Sequence, residues 1–283
     1  MRERNRDLGY LGVVITLSSI HSYPVKSCRG IEHESAFLTG AGLEHDREWM
    51  FVSHGGRFIS QRDEPRLAQV AVAIRDGALR LSADGAGEVS VPRELDGPRV
   101  PVTVWGDDCQ GIDQGDGPAE WISSLLGREA RLVRFDHART RPSDPAWAGA
   151  IEAPNRFSDG FPLLVVSRAS LDDLNSKLRI AVPMDRFRAN LVLDGLPPFG
   201  EDGLYELVSG AVRLRIVKPC MRCIVTTTDQ RSGERMGDEP LSTLKTYRWN
   251  AALRGVGFGQ NAIVVAGAGQ ALRRGQAFAA TSD

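Results

Sequence analysis

Apolar and polar residues alternate over short stretches along most of this 283-residue chain. Turn residues separate one stretch from the next, which predicts many short strands and few helices. In the first half the strand-like stretches are residues 13–20, 34–38, 49–53, 57–60, 67–74, 78–82, 88–91 and 100–104, with glycine turns at Gly55-Gly56 and Asp84-Gly85. One helix is expected there, over 118–126, because Ile122, Leu125 and Leu126 fall on one face. In the second half the apolar run 161–166 leads into a polar cap at 167–170 and a helix over 171–178. Further strands are expected over 188–193, 212–217, 224–228 and 261–266. Residues 127–154, with Pro142 and Pro145, read as a connector. The expected architecture is mainly β (α+β): a β-rich N-terminal unit over residues 1–135, and over 136–283 a closed or partly closed β-barrel with a few helices.

Composition narrows the class without naming a function. Hydrophobic content of 42% and charged content of 25% are ordinary for a globular protein. With 35 basic and 36 acidic residues the net charge is -1, so no general attraction to nucleic acid or to an anionic membrane is expected, and any polyanion site must be local. The apolar run 8–17 is broken by glycines and too short to span a bilayer, and it reads as a first strand. Four cysteines in so long a chain do not make a disulfide framework, and a cytoplasmic, reducing location is expected.

The chemistry concentrates in Lys218-Pro-Cys-Met-Arg-Cys-Ile-Val-Thr-Thr-Thr-Asp229. Arg215, Lys218 and Arg222 stand near Cys223 in sequence, and positive charge favours the thiolate, the form that attacks and that binds metal. From spacing alone three readings stand. A zinc half-site lacks its second pair, since Cys28 and Cys109 are isolated. A thioredoxin-like motif should open a helix, whereas the β-branched residues after Cys223 look like a strand. There remains a thiol that is either structural or the single protein ligand of a cofactor bringing its own donors.

Ordered motifs run nearly the length of the chain: Tyr23-Pro-Val-Lys-Ser-Cys-Arg-Gly30, Gly42-Leu-Glu-His-Asp-Arg-Glu-Trp49, Gln61-Arg-Asp-Glu-Pro-Arg-Leu67, Phe187-Arg-Ala-Asn190, Pro219-Cys-Met-Arg-Cys223 and Phe258-Gly-Gln260. Together they resemble the MOSC proteins that carry an associated N-terminal β-barrel domain, and among these the amidoxime-reducing component and its bacterial relatives. The resemblance implies a MOSC-type barrel packed on a smaller N-terminal β-barrel-like domain. It also implies a molybdenum-molybdopterin cofactor whose only protein ligand is Cys223. A soft thiolate suits a metal already held by two soft sulfurs. Lys26, Ser27 and Arg47 match the positions that grip the phosphate end of the cofactor. Asp159, Gly160, Arg188, Asn190, Met221 and Arg222 match its remaining contacts. Since these residues come from both halves, the site is expected in a cleft between them.

The reaction implied is reduction of N-hydroxylated compounds such as amidoximes, hydroxylamines and N-hydroxylated purines, with Arg222 stabilising developing charge beside Cys223. A separate flavin, iron-sulfur or haem protein is expected as electron donor. Phe161 and Met221 depart from the family pattern toward a less polar site, which bears on substrate preference. A cofactor carrier or sulfur carrier without reductase activity is the rival reading.

Overall fold

The computed structural model describes residues 14–235 and 237–282. It is mostly β, and its largest element is a closed seven-stranded barrel. Around the barrel the order is Leu163–Ser167, Leu191–Asp194, Ile15–Ser22, Ala277–Ser282, Leu204–Ser209, Val212–Arg222 and Gly255–Ala266, which pairs back onto Leu163–Ser167. The first two strands run parallel, and helix Arg168–Lys177 makes the crossover that a parallel pair requires. Alternation sets which side chains enter the barrel. Val212, Leu214 and Ile216 are buried with Ile15, Leu17, Leu163, Val165, Leu191 and Leu193, while Arg213 faces water.

The N-terminal half contributes a four-stranded sheet in the order Trp49–Val52, Arg131–Phe135, Asp107–Asp113 and Arg99–Val104. A three-stranded sheet of Ala71–Arg75, Ala78–Ala83 and Gly87–Pro92 packs with it, together with helix Asp116–Leu126. Successive residues of Trp49–Val52 point to opposite faces. Trp49 and Phe51 join Leu79, Leu81, Ile122 and Leu132 in one core, and Met50 and Val52 join Val102, Val133 and Phe135 in another. The helix ends at Gly127, whose φ of 69° gives the left-handed cap that glycine tolerates best.

The chain crosses between the two bodies early. Strand Ile15–Ser22 belongs to the barrel, although its sequence lies in the first half. The loop that leaves it runs into the N-terminal body, where Val25 bridges Trp49 and the Lys26 amide donates to the Trp49 carbonyl at 2.7 Å. Leu38 and Leu43 also pack into the barrel core. Sheet membership therefore does not follow the expected cut at residue 135. Residues 8–13 of the expected first strand lie outside the described residues.

Other differences have local causes. Residues 57–60 form only isolated bridges. The expected strand 67–74 is instead the 3-10 turn Pro65–Gln69 followed by Ala71–Arg75, with proline opening the turn, where its missing N–H costs nothing. The connector 127–154 contains the strand Arg131–Phe135 and the short helix Pro145–Ala148. Most consequential, the expected strand 224–228 is the 3-10 helix Ile224–Thr227. There the Thr226 and Thr227 hydroxyls donate to the carbonyls of Cys223 and Ile224 at 3.0 and 2.8 Å, and these local bonds outweigh the β preference of the residues. Among the described residues no helix is long and apolar enough to cross a membrane.

Candidate functional site

All ten residues expected to hold the cofactor line a single pocket: Lys26, Ser27, Arg47, Asp159, Gly160, Arg188, Asn190, Met221, Arg222 and Cys223. The pocket lies between the two halves, as both contribute walls, and encloses about 900 Å³ including its open mouth. Its lining carries five cationic side chains, Lys26, Arg47, Arg62, Arg188 and Arg222, against one carboxylate, Asp159. In a chain of net charge -1 this is a strongly local positive field, of the kind that draws an anionic ligand.

The cysteine wall comes from the barrel. Strand Val212–Arg222 pairs with Gly255–Ala266 through register shifts at Ile216/Lys218 and Pro219/Met221. Such bulges accommodate Pro219 and re-aim the side chains that follow. Cys223 then leaves the strand half-buried, and among the described residues its Sγ takes no hydrogen bond. The Cys220 Sγ, in contrast, accepts from Arg222 Nη1 at 2.9 Å, and Arg222 Nη2 donates to the Phe187 carbonyl at 2.7 Å. Arg222 is thereby fixed beside the free thiol. Met221 packs on Gly255 and Gly257 of the neighbouring strand, where a Cβ at Gly255 would come within 2.9 Å of its sulfur.

The two halves together supply a pair of arginines stacked on one ring, Arg47 from the first half and Arg188 from the second. The Arg47 and Arg188 guanidinium groups lie 4.4 and 4.3 Å from the centroid of the Tyr23 ring, which is itself buried and donates from its hydroxyl to the Ala189 carbonyl. Gly30 is required beside it, since a Cβ there would meet the ring at 2.5 Å. Both arginines adopt left-handed backbone, with φ of 47° and 55°, a strain that tends to be kept at functional sites. Arg47 bonds to Asp46 at 2.5 Å, to Asn190 Oδ1 at 2.9 Å and to the Arg188 carbonyl at 3.2 Å. Arg188 Nη1 donates to the Cys28 carbonyl at 2.7 Å, while its Nη2 is buried without a partner. Burial lowers the Arg188 pKa to about 10, so it stays charged at neutral pH.

Lys26 is 7% exposed at its side chain and donates to the Phe157 carbonyl at 2.8 Å and to Asp159 Oδ1 at 2.5 Å. Burial pushes its pKa down, and Asp159 opposes that shift. Asn190 behaves differently from its neighbours in the pocket. Its Oδ1 accepts from the Leu164 amide and from Arg47, and its Nδ2 donates to the His21 carbonyl. With those positions taken, it holds Arg47 in place. Ser27 sits at φ 70° with its carbonyl taken by Gln61, and a Cβ at Gly160 would meet nothing within 4 Å.

The pocket also contains residues that motif reading did not assign a role: Phe58, Arg62, Trp105 and Asn261. Arg62 lay inside a quoted motif, so a signal for it was present. Trp105 had none, because its place depends on the turn between Arg99–Val104 and Asp107–Asp113. Arg141, read as part of a connector, is buried and makes five bonds of 2.5 to 2.9 Å that tie the segment carrying Asp159 and Gly160 to Asp107.

The donor set fits an anionic, soft-metal cofactor. Arg188 Nη2 and Arg222 Nε are buried without a hydrogen-bond partner among the described residues. Among the described residues no three His, Cys, Asp or Glu side chains gather to hold a metal, so a metal at Cys223 needs donors from a cofactor.

Residues 14–129 match the MOSC N-terminal beta barrel domain and residues 152–277 match the MOSC domain. The chain is 37% identical over 256 residues to the mitochondrial amidoxime-reducing component 1 of Mus musculus, covering 87% of this chain and 75% of that protein. It is 36% identical over 248 residues to component 1 of Homo sapiens, covering 82% and 72%. It is 35% identical over 254 residues to component 2 of Bos taurus, covering 87% and 75%. The chain belongs to the MOSC-domain proteins with an N-terminal β-barrel domain, the family in which the amidoxime-reducing components fall.

Proposed function

We propose that this protein binds a molybdenum-molybdopterin cofactor and reduces N-hydroxylated compounds, drawing electrons from a separate donor protein. The observation that supports this most is the meeting, in one pocket, of a half-buried thiol without a hydrogen bond and five cationic side chains drawn from both halves of the chain. When bound, the cofactor supplies the two-electron redox chemistry by which an N–O bond is broken.

The chain's own residues do the rest. Cys223 offers one soft sulfur donor, and among the described residues no three His, Cys, Asp or Glu side chains gather to hold a metal, which leaves the remaining coordination to the cofactor and substrate. Lys26 supplies a point charge, and Arg47 a planar fork held by Asp46 and Asn190, toward the anionic end of the cofactor. Arg188 adds a second guanidinium on the same wall, held by the Cys28 carbonyl. Arg222, pinned between Cys220 Sγ and the Phe187 carbonyl, faces charge that develops on a substrate oxygen beside Cys223 without having to reorganise. Phe161 and Met221 keep the walls apolar, which favours substrates with a hydrophobic body behind the N-hydroxyl group.

The test is turnover of benzamidoxime by molybdenum-loaded protein with reduced methyl viologen as electron source. Turnover that disappears in Cys223→Ala supports the reading. Stoichiometric molybdenum without turnover would instead point to a carrier, and undiminished turnover in Cys223→Ala would rule out the ligand.

A further inference from the structure

The two halves of the chain are also joined by a pair of buried amides. Gln61, 0% exposed, comes from the N-terminal half, and Gln230, 7% exposed, comes from the segment that follows Cys223. Gln61 Nε2 donates to the Ser27 carbonyl at 2.7 Å, and Gln230 Nε2 donates to the Thr228 carbonyl at 3.1 Å. A carbonyl only accepts, so these two bonds fix which end of each amide is the nitrogen. The remaining contacts close a ring: Gln61 Nε2 donates to Gln230 Oε1 at 2.9 Å, and Gln230 Nε2 to Gln61 Oε1 at 3.0 Å. Neither side chain lines the pocket, although Ser60 and Arg62 on either side of Gln61 do.

Each amide is anchored to one wall of the pocket. Ser27 stands in left-handed backbone at φ 70°, an uncommon state for a residue other than glycine, and Gln61 holds its carbonyl. Gln230 ends a segment that begins at Cys223 and runs through the 3-10 helix Ile224–Thr227. Arg186 fastens that segment to the second half, donating to the Thr227 carbonyl and to Asp229, each at 3.0 Å. Two further bonds from the segment to the N-terminal half, Gln69 to the Arg231 carbonyl and Arg235 to the Arg62 carbonyl, are exposed, and water replaces such a partner at little cost.

We infer that Gln61 and Gln230 lock the segment after Cys223 to the turn that carries Ser27, and that this lock sets the separation between the thiol wall and the N-terminal wall of the pocket. They are positioning residues, acting through Ser27 and Cys223. A buried amide ring works as a unit. Removing either side chain leaves the other's donor and acceptor buried without their partners, a larger loss than the two bonds contribute on balance. With the ring closed, the two walls stand at a fixed spacing, so little of a ligand's binding free energy goes into ordering them. The lock rests on the cofactor reading above only for which ligand the two walls grip.

Hydrogen exchange of the full chain, followed by mass spectrometry, tests this. In Gln61→Met and in Gln230→Met the amides of residues 224–235 are expected to exchange about tenfold faster, while those of the barrel strand Leu163–Ser167 keep their rate. Gln61→Asn, which withdraws the amide by one methylene, carries the same expectation, and thermal melting followed by circular dichroism checks that the variants fold. The double variant Gln61→Met with Gln230→Met is expected to match the single ones, because a lock broken at either end is already open. Unchanged exchange over 224–235, uniform acceleration along the whole chain, or single effects that multiply in the double variant would overturn the lock. On protein loaded with cofactor, the same variants are expected to release molybdenum about tenfold faster during dialysis, read by metal analysis, and equal release rates would overturn the positioning role. A chain that takes up no molybdenum yet shows the local acceleration would refute the cofactor reading and leave the lock standing.

Discussion

Arg141 offers the sharpest test of how the pocket is held together, because its substitution removes no group from the pocket lining. Its guanidinium is 6% exposed and satisfies the Asn155 side-chain oxygen at 2.5 Å and the carbonyls of Arg156 and Ser158 at 2.8 and 2.6 Å, while its other edge forks onto Asp107 at 2.9 and 2.6 Å. In Arg141→Met the buried acceptors lose their donor, at about 1–3 kcal/mol each if water cannot replace it. Partial hydration brings the sum to about 3–5 kcal/mol, the usual result of breaking a buried charged network. Asp107, 56% exposed, is rehydrated at little cost, so Asp107→Asn should lose less than about 1 kcal/mol. Urea denaturation of both variants gives the two values. A loss below about 1 kcal/mol for Arg141→Met, or equal losses for the two variants, would mean that Arg141 does not anchor the segment carrying Asp159 and Gly160.

Three further outcomes are expected. Asn190→Ala leaves the Leu164 amide and the His21 carbonyl without a side-chain partner and frees Arg47; it should destabilise the protein by about 2–4 kcal/mol and weaken cofactor retention, measured by denaturation and by metal analysis. Burial works against the ionised Glu48 carboxylate, but hydrogen bonds from His137 and His45, with the charges of His45 and Arg156, outweigh it and hold Glu48 well below the usual carboxylate range. A carboxylate depressed in the folded state contributes stability that is present above its unfolded pKa and lost as pH falls toward the folded value. The unaltered protein should therefore lose stability more steeply than Glu48→Gln between about pH 4.5 and pH 3, and parallel curves would contradict this. Cys28 is buried, and burial pushes its thiol up to about 12, so iodoacetamide at pH 8 should spare it while alkylating half-buried Cys223, as read by peptide mass spectrometry.

The thiol among cations was legible from the residues themselves, whereas Lys26, Ser27 and Arg47 entered through the motifs that carry the family resemblance, and the structure brings them to one pocket. Strands such as Val212–Arg222 and Arg99–Val104 were legible from alternation. Asp107–Asp113 was not, since a charged stretch with a glycine becomes a strand only by pairing with Arg99–Val104 on one side and Arg131–Phe135 on the other. Ile224–Thr227 misled because β-branched residues bonded their hydroxyls back to the chain. Arg141, Trp105 and the barrel place of Ile15–Ser22 depend on contacts between residues far apart in sequence, which no local pattern encodes.

The central claim is that Cys223 is the protein's single bond to a molybdenum whose cofactor is gripped from the other half of the chain. X-ray absorption at the molybdenum edge, on protein loaded in a host that makes the cofactor, tests this most directly. The account expects stoichiometric molybdenum in the unaltered protein and one fewer sulfur neighbour in whatever metal Cys223→Ala retains. An unchanged sulfur shell in Cys223→Ala, or zinc in place of molybdenum, would contradict it.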